Sequence, residues 1–532
     1  MTVDVAQPER LAAEAWRVHL GRDVPADELR SALGEGSLAA AFHVTATGHP
    51  DRPALAIDGV SATHGELDGR AARVAGWLQA RGVRAGDRVV VSATSSLALV
   101  VAYVGALRAG AVVVLANPVL TEVELRHLVS DSSAVLALAG GEVRSRLDGI
   151  ARSGGTLRAV VDVAALDVET ASARAADPVA AASDDVALLA YTSGTTGKPK
   201  AVPLTHRNLL SSIRAVMLAW RWSDDDVLVH ALPLSHQHGL GGVHAALLSG
   251  SRAVIHAKFD AAAVCDAVRA ERATVLFGVP AVYERLVAAD GVDRAALATL
   301  RLLVSGSAPL SPLLAERVAD VAGQMPLERY GTTESGLDVS NPYDGPRRPG
   351  TVGLPLPGIE LALAGDDGAP LGVGETGEIV LRGPQVFSGY HGDEEATAAA
   401  FHPGGWFRTG DIGRVDPSDR YLAITGRAKD LIITGGMNVY PREVELALEQ
   451  HPDVGRAAVV GVASERWGEE VVAAVVARPR RTIDPDALHG FARSRLAPYK
   501  CPKRFVVVDA LPVNAMGKVR SAEVARLVED AG

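Results

Sequence analysis

Tyr191-Thr-Ser-Gly-Thr-Thr-Gly-Lys-Pro-Lys200 is the string on which the reading of this chain turns. It follows Val186–Ala190, an apolar run of strand length. Within ten positions it gathers small hydroxyl residues, two glycines and two lysines. Glycines let backbone N–H groups come close to an anion, hydroxyls add donors, and lysines add charge. A loop of this make-up suits the phosphates of a nucleotide, and Thr192, Ser193, Gly194, Thr195, Thr196, Gly197, Lys198 and Lys200 are the candidate contacts. It is not a Walker A loop: Thr192 stands where the first glycine belongs, and Pro199 follows the lysine where Ser or Thr is needed.

On both sides of this loop, helical patterns alternate with short apolar runs. Arg88–Ser92, Ala111–Leu115, Ala134–Leu138 and Ala159–Asp162 precede it; Ala253–Ile255, Thr274–Phe277 and Leu302–Val304 follow. Continuous apolar strands between helices predict parallel sheet covered on both faces. Residues 351–425 turn rich in Gly, Pro and Asp with short alternating strands, which predicts a β-rich subdomain. Beyond Arg427–Asp430, a helix at Pro441–Glu449 carries proline in its first turn and acids early. Strands and one more helix follow. The fold class is α/β. Residues 1–36 form a helical extension and 37–427 a large domain of α/β subdomains plus the β-rich one. A boundary falls at 428–430, and 431–532 read as a small α+β domain.

The chain has 532 residues, too many for one hydrophobic core. Nearly half are apolar, and the net charge of −10 gives no footprint for nucleic acid. Two cysteines, Cys265 and Cys501, have no metal or redox spacing, which fits thiols in a reducing cytoplasm. The N-terminus lacks an apolar h-region. The longest stretch free of charge and histidine, Val89–Leu107, reads as strand, turn and buried helix rather than a membrane span.

The ten-residue string resembles the superfamily of acyl-CoA synthetases, peptide-synthetase adenylation domains and luciferases. The resemblance covers nearly the whole chain, with motifs in family order. It implies ATP, Mg²⁺ and an acyl-adenylate, with 428–430 as a hinge and 431–532 as a mobile domain. In Glu328-Arg-Tyr-Gly-Thr-Thr-Glu334, it implies that Tyr330 stacks on adenine, Thr333 meets the α-phosphate and Glu334 holds Mg²⁺. Glu328, Arg329, Gly331 and Thr332 join the nucleotide set, with Ser307 and Ala308. In Trp406-Phe-Arg-Thr-Gly-Asp411, Asp411 would grip the ribose hydroxyls. In Gly426–Gly436, Arg427 would meet ribose or phosphate, Lys429 the hinge, and Gly435 and Gly436 the coenzyme A thiol. Lys518, in Leu511-Pro-Val-Asn-Ala-Met-Gly-Lys518, would reach the carboxylate and the α-phosphate, where two anions must meet.

Residues Ser305–Leu310, Glu328–Gly331 and Ser340–Gly345 look like malonyl-CoA synthetases in particular. This implies a small dicarboxylic acid and an arginine for its distal carboxylate; Arg285 is the candidate. His236, His238, Ser305, Gly306, Ser335 and Gly336 are the other candidates for the acid pocket. The sequence departs at Thr332, where those enzymes carry methionine, and continues Ser335-Gly336-Leu337, so the acid stays open. The expected activity is an acid:CoA ligase. A carrier-protein thiol or an amine as acceptor, nitrite as the activated acid, and a silent homologue acting by binding are the alternatives. No nucleic acid partner and no membrane span are expected.

Overall fold

The computed structural model describes residues 8–192, 199–365, 368–435, 437–464, 466–514 and 517–531. These form four sheets. The largest runs in the order Leu354–Pro355, Val339–Ser340, Leu327–Tyr330, Leu302–Ser305, Val275–Gly278, Val227–His230, Arg252–Ile255, Pro53–Ile57, Val60–Thr63. Its strands from Leu327–Tyr330 to Pro53–Ile57 are parallel. The second sheet runs Ala159–Asp162, Leu136–Ala139, Arg88–Ser92, Val112–Leu115, Val186–Thr192, Lys200–Thr205. It is parallel except for its closing pair, Val186–Thr192 with Lys200–Thr205, which is antiparallel.

The predicted strands therefore appear within a residue or two, as continuous apolar runs buried on both faces require. The Val89–Leu107 stretch is a strand, a turn and helix Leu97–Arg108, nearly all of it buried. Helix starts follow local chemistry: Thr63 with Glu66, Thr121 with Glu124 and Thr205 with Asn208 form reciprocal caps. The β-rich segment is an antiparallel sheet of Glu360–Ala364, Thr376–Arg382, Trp406–Val415, Phe401–His402 and Leu422–Arg427. From Ile432 the chain builds a fourth sheet around its own apolar core, which includes Val444, Val459, Val471 and Val475. Among the described residues, no helix is long and apolar enough to cross a membrane.

The N-terminal stretch is stitched into the large domain. Trp16 Nε1 donates to the Ile359 carbonyl at 3.0 Å, and Arg30 pairs with the buried Glu360. Helix Ala26–Gly34 packs on helix His206–Ala219. There Arg214 donates to the carbonyls of Ala32, Leu33 and Glu35, the orphan acceptors at the end of the first helix. Leu38 N–H donates to His206 Nδ1 at 3.1 Å. Arg214→Ala is expected to destabilise the protein by about 1.5–3 kcal/mol, the range for bonds to a charged group. The check is the urea midpoint; an unchanged midpoint removes Arg214 from the brace.

Candidate functional site

The carboxyl ends of the parallel strands in the largest sheet open into one cavity of about 1400 Å³, as open α/β sheets provide. Loops after His230, Gly278, Ser305 and Tyr330 reach it, and the β-rich sheet contributes Asp411 and Arg427. The C-terminal part of the chain closes it with Arg442, on helix Pro441–Glu449, and Lys518.

Asp411 and Arg427 are cross-strand partners, and Arg427 Nε lies 2.9 Å from Asp411 Oδ1. Tyr330 O–H donates to Asp411 Oδ2 at 2.7 Å. Asp411 is thus a buried carboxylate held at both oxygens, facing a space that can take hydroxyl donors. Glu328 is buried; its Oε1 accepts from Leu310 N–H at 2.9 Å and its Oε2 has no partner among the described residues. Burial pushes its carboxyl up to about 7, so at neutral pH a large share is protonated and can donate. Gly331 is obligatory: a Cβ there would sit 1.9 Å from the Gly336 carbonyl oxygen. The loop from Gly331 to Leu337 is closed by Gly336 N–H to Thr332 O at 2.9 Å, and Gln237 Nε2 donates to Thr333 O at 2.9 Å.

Glu334 faces the cavity with Oε1 held by the Tyr390 hydroxyl at 3.0 Å. A half-exposed carboxylate with a second oxygen to spare fits Mg²⁺, which takes one or two protein oxygens and completes its shell with phosphate and water. Lys200 also faces the cavity, with its Nζ 4.8 Å from the Tyr390 ring centroid. Ser193, Gly194, Thr195, Thr196, Gly197 and Lys198 lie outside the described residues; Thr192 lines the cavity at the end of its strand. Ser307 and Ala308 line it as well. Lys518 enters from the segment before helix Ser521–Asp530; burial, then the nearby Arg427, lowers its amine to about 8. Lys429 and Asp430 stand beside it.

One side of the cavity is apolar, built by Leu209, Ile213, Leu240 and Gly241 with Leu337. Its floor is polar. His238 Nδ1 meets Ser307 Oγ at 3.1 Å, and His236 Nε2 meets Asn117 Nδ2 at 3.3 Å. Burial lowers both imidazoles, so both are neutral at pH 7. Beside His238 lies Arg329, buried, with Nε and Nη2 unpartnered among the described residues. Burial lowers its guanidinium only to about 10, so it stays charged.

Several sequence assignments change. Arg285 is not in the pocket. It is exposed, stacks 4.6 Å over Phe259 and donates to the Phe259 carbonyl. Ala281, Glu284 and Ala288 carry the cavity-facing stripe of that region, at helical spacing, and Arg285 falls off it. Arg329, placed with the nucleotide set, is turned toward His238 and Gly306. Successive residues of a strand point to opposite faces, and its neighbours Glu328 and Tyr330 reach Leu310 and Asp411. Gly306 is therefore wall rather than contact: a Cβ there would lie 2.4 Å from Arg329 Nε. Ser305 is fully buried at a strand end. Ser335 is fully buried too, donating to Asp338 Oδ2 at 2.6 Å beneath the loop. Gly435 packs against Trp467 outside the cavity, and Gly436 lies outside the described residues. Sequence reasoning missed Gln237 and Tyr390, which no local motif marks, and Arg329 as a pocket residue.

Two family models match the chain: "AMP-binding enzyme" over residues 42–391 and "AMP-binding enzyme C-terminal domain" over residues 443–518. A feruloyl-CoA synthase of an Amycolatopsis species is 39% identical over 481 residues, covering 90% of this chain and 96% of that protein. A malonate–CoA ligase of Arabidopsis thaliana is 33% identical, covering 90% of this chain and 87% of that one. The solved structure of ATP-bound MatB from Rhodopseudomonas palustris superposes with a TM-score of 0.88 at 36% identity, covering 93% of this chain and 99% of that one.

Proposed function

The chain belongs to the AMP-binding enzyme family and is an AMP-forming acid:CoA ligase, and we propose that its acid is small and carries a second, anionic group that pairs with Arg329. The observation that carries this is the buried, charged Arg329, with Nε and Nη2 unpartnered among the described residues and a neutral His238 beside it. A desolvated guanidinium without a partner is costly, and a carboxylate answers it with two parallel hydrogen bonds. The apolar side, with Leu209, Ile213 and Leu240, leaves room for a short carbon body.

The reaction has two halves. The acid's carboxylate oxygen attacks the α-phosphorus of ATP; that P–O bond forms, the bond to the β-phosphate breaks, and pyrophosphate leaves. The thiol sulfur of coenzyme A then attacks the carbonyl carbon; the C–S bond forms, AMP leaves, and the thiol proton passes to solvent. Lys518 offsets the repulsion between the two anions of the first half. Asp411, with Arg427, takes the ribose hydroxyls, Tyr330 the adenine face, and Thr333 the α-phosphate. Glu334 would hold Mg²⁺, which would supply charge neutralisation on the phosphate chain. Lys518 inside the cavity and Gly435 outside it describe the adenylate-forming arrangement. Turning about Lys429 would withdraw the lysine and bring the Gly435 loop to the thiol path.

The test is pyrophosphate release with Mg²⁺-ATP over malonate, methylmalonate, fatty acids, aryl acids and nitrite, each with and without coenzyme A. Release with a dicarboxylate, plus its thioester by mass, is the expected result. Release with monocarboxylic acids alone overturns the anionic group. Release without any thioester transfers the acceptor to an amine or a carrier-protein thiol.

A further inference from the structure

The segment Phe387–His391 ties together two parts of the site that are far apart in sequence. Its Phe387 N–H donates to the Glu334 carbonyl at 2.8 Å, and its His391 N–H donates to the Ala201 carbonyl at 3.0 Å. Ala201 follows Lys200 on the strand that leaves the glycine-rich string. Between these two anchors, Tyr390 contacts both neighbours with its side chain. Its hydroxyl donates to Glu334 Oε1, and its ring face receives the Lys200 ammonium. Tyr390 is itself fixed: its N–H donates to Thr397 Oγ1 at 2.9 Å, and its ring meets Phe387 edge-on at 4.9 Å.

We propose that Tyr390 is a positioning residue that sets Glu334 and Lys200 in register with each other, one oxygen of the carboxylate held and the other presented to the cation. The proposal rests on the reading of Glu334 as the cation's carboxylate. A cation and a phosphate chain must be met together, and the two protein groups that meet them come from different sheets. A single phenol touching both removes the freedom of each to move alone.

The test uses the full chain with α,β-methylene-ATP and Mn²⁺, whose binding is read by electron paramagnetic resonance without turnover. Tyr390→Phe keeps the ring and loses the hydroxyl. It is expected to raise the Mn²⁺ Kd about three- to tenfold, the worth of one hydrogen bond, with the KM for the acid unchanged. Tyr390→Leu also loses the ring and is expected to weaken the nucleotide analogue measured without metal. Wild-type Mn²⁺ affinity in Tyr390→Phe, with affinity lost in Glu334→Gln, overturns the proposal and leaves the carboxylate reading standing. Wild-type affinity in both overturns that reading and the proposal with it. A Tyr390→Phe enzyme whose acid KM rises as much as its Mn²⁺ Kd also overturns it, since the effect would then be general loosening.

Discussion

Lys518→Ala is expected to slow pyrophosphate release by on the order of 10²–10³-fold, the cost of removing one preorganised charge from a transition state. Conversion of supplied acyl-adenylate to thioester should change little. The asymmetry follows from what each half requires. Only the first brings two anions together, and in the present arrangement Lys518 stands beside Arg427 and Asp411. The same amine predicts a pH signature. Its pKa is lowered to about 8, by burial first, so it is charged below that pH and neutral above it. Adenylation should therefore fall as pH rises through about 8, while thiol transfer does not follow. Lys518→Arg, which cannot deprotonate in this range, should retain part of the rate and lose the alkaline fall. Wild-type pyrophosphate release by Lys518→Ala would remove the lysine from this step.

Arg329→Met is expected to raise the KM for an acid with a distal carboxylate by about 10- to 150-fold, equivalent to 1.5–3 kcal/mol for a bond to a charged group. The substitution keeps much of the stem volume and removes the fork. The preference should move toward acids without a second charge, because the floor then offers apolar surface. Arg285→Ala is the control: an exposed side chain stacked on Phe259 should leave the KM within about twofold. Arg329→Met with an unchanged KM, or Arg285→Ala with a raised one, reverses the assignment between the two arginines.

That pair shows where sequence reading stops. The parallel strands were legible because burial on both faces leaves an unbroken apolar run, and the helix starts because caps are local. The order of motifs gave the family. Which of two arginines enters the cavity is not a matter of spacing. It depends on the rotation of helix Pro280–Val287 and on the face that strand Leu327–Tyr330 turns inward, and both are set by packing far along the chain. Resemblance placed Gly306 in the acid pocket; here its missing Cβ makes room for Arg329. Tyr390 was invisible because it lies 56 residues beyond Glu334, in a loop with no chemistry of its own. The roles given to Ser193–Lys198 still rest on the sequence alone.

The stitching of the N-terminal helices has a consequence for how the chain is made. Trp16 bonds a carbonyl 343 residues later. At about 5–20 residues per second, a ribosome needs roughly 20–70 s to supply that partner. Until then helix Pro8–Leu20 can pack on helix His206–Ala219 but not on its other neighbours, Leu354–Pro355 and Glu360–Ala364. The first helix of the brace therefore completes its packing after the second, whose packing partner is helix His206–Ala219. A nascent chain halted before Ile359 should leave helix Pro8–Leu20 more open to protease than helix Ala26–Gly34.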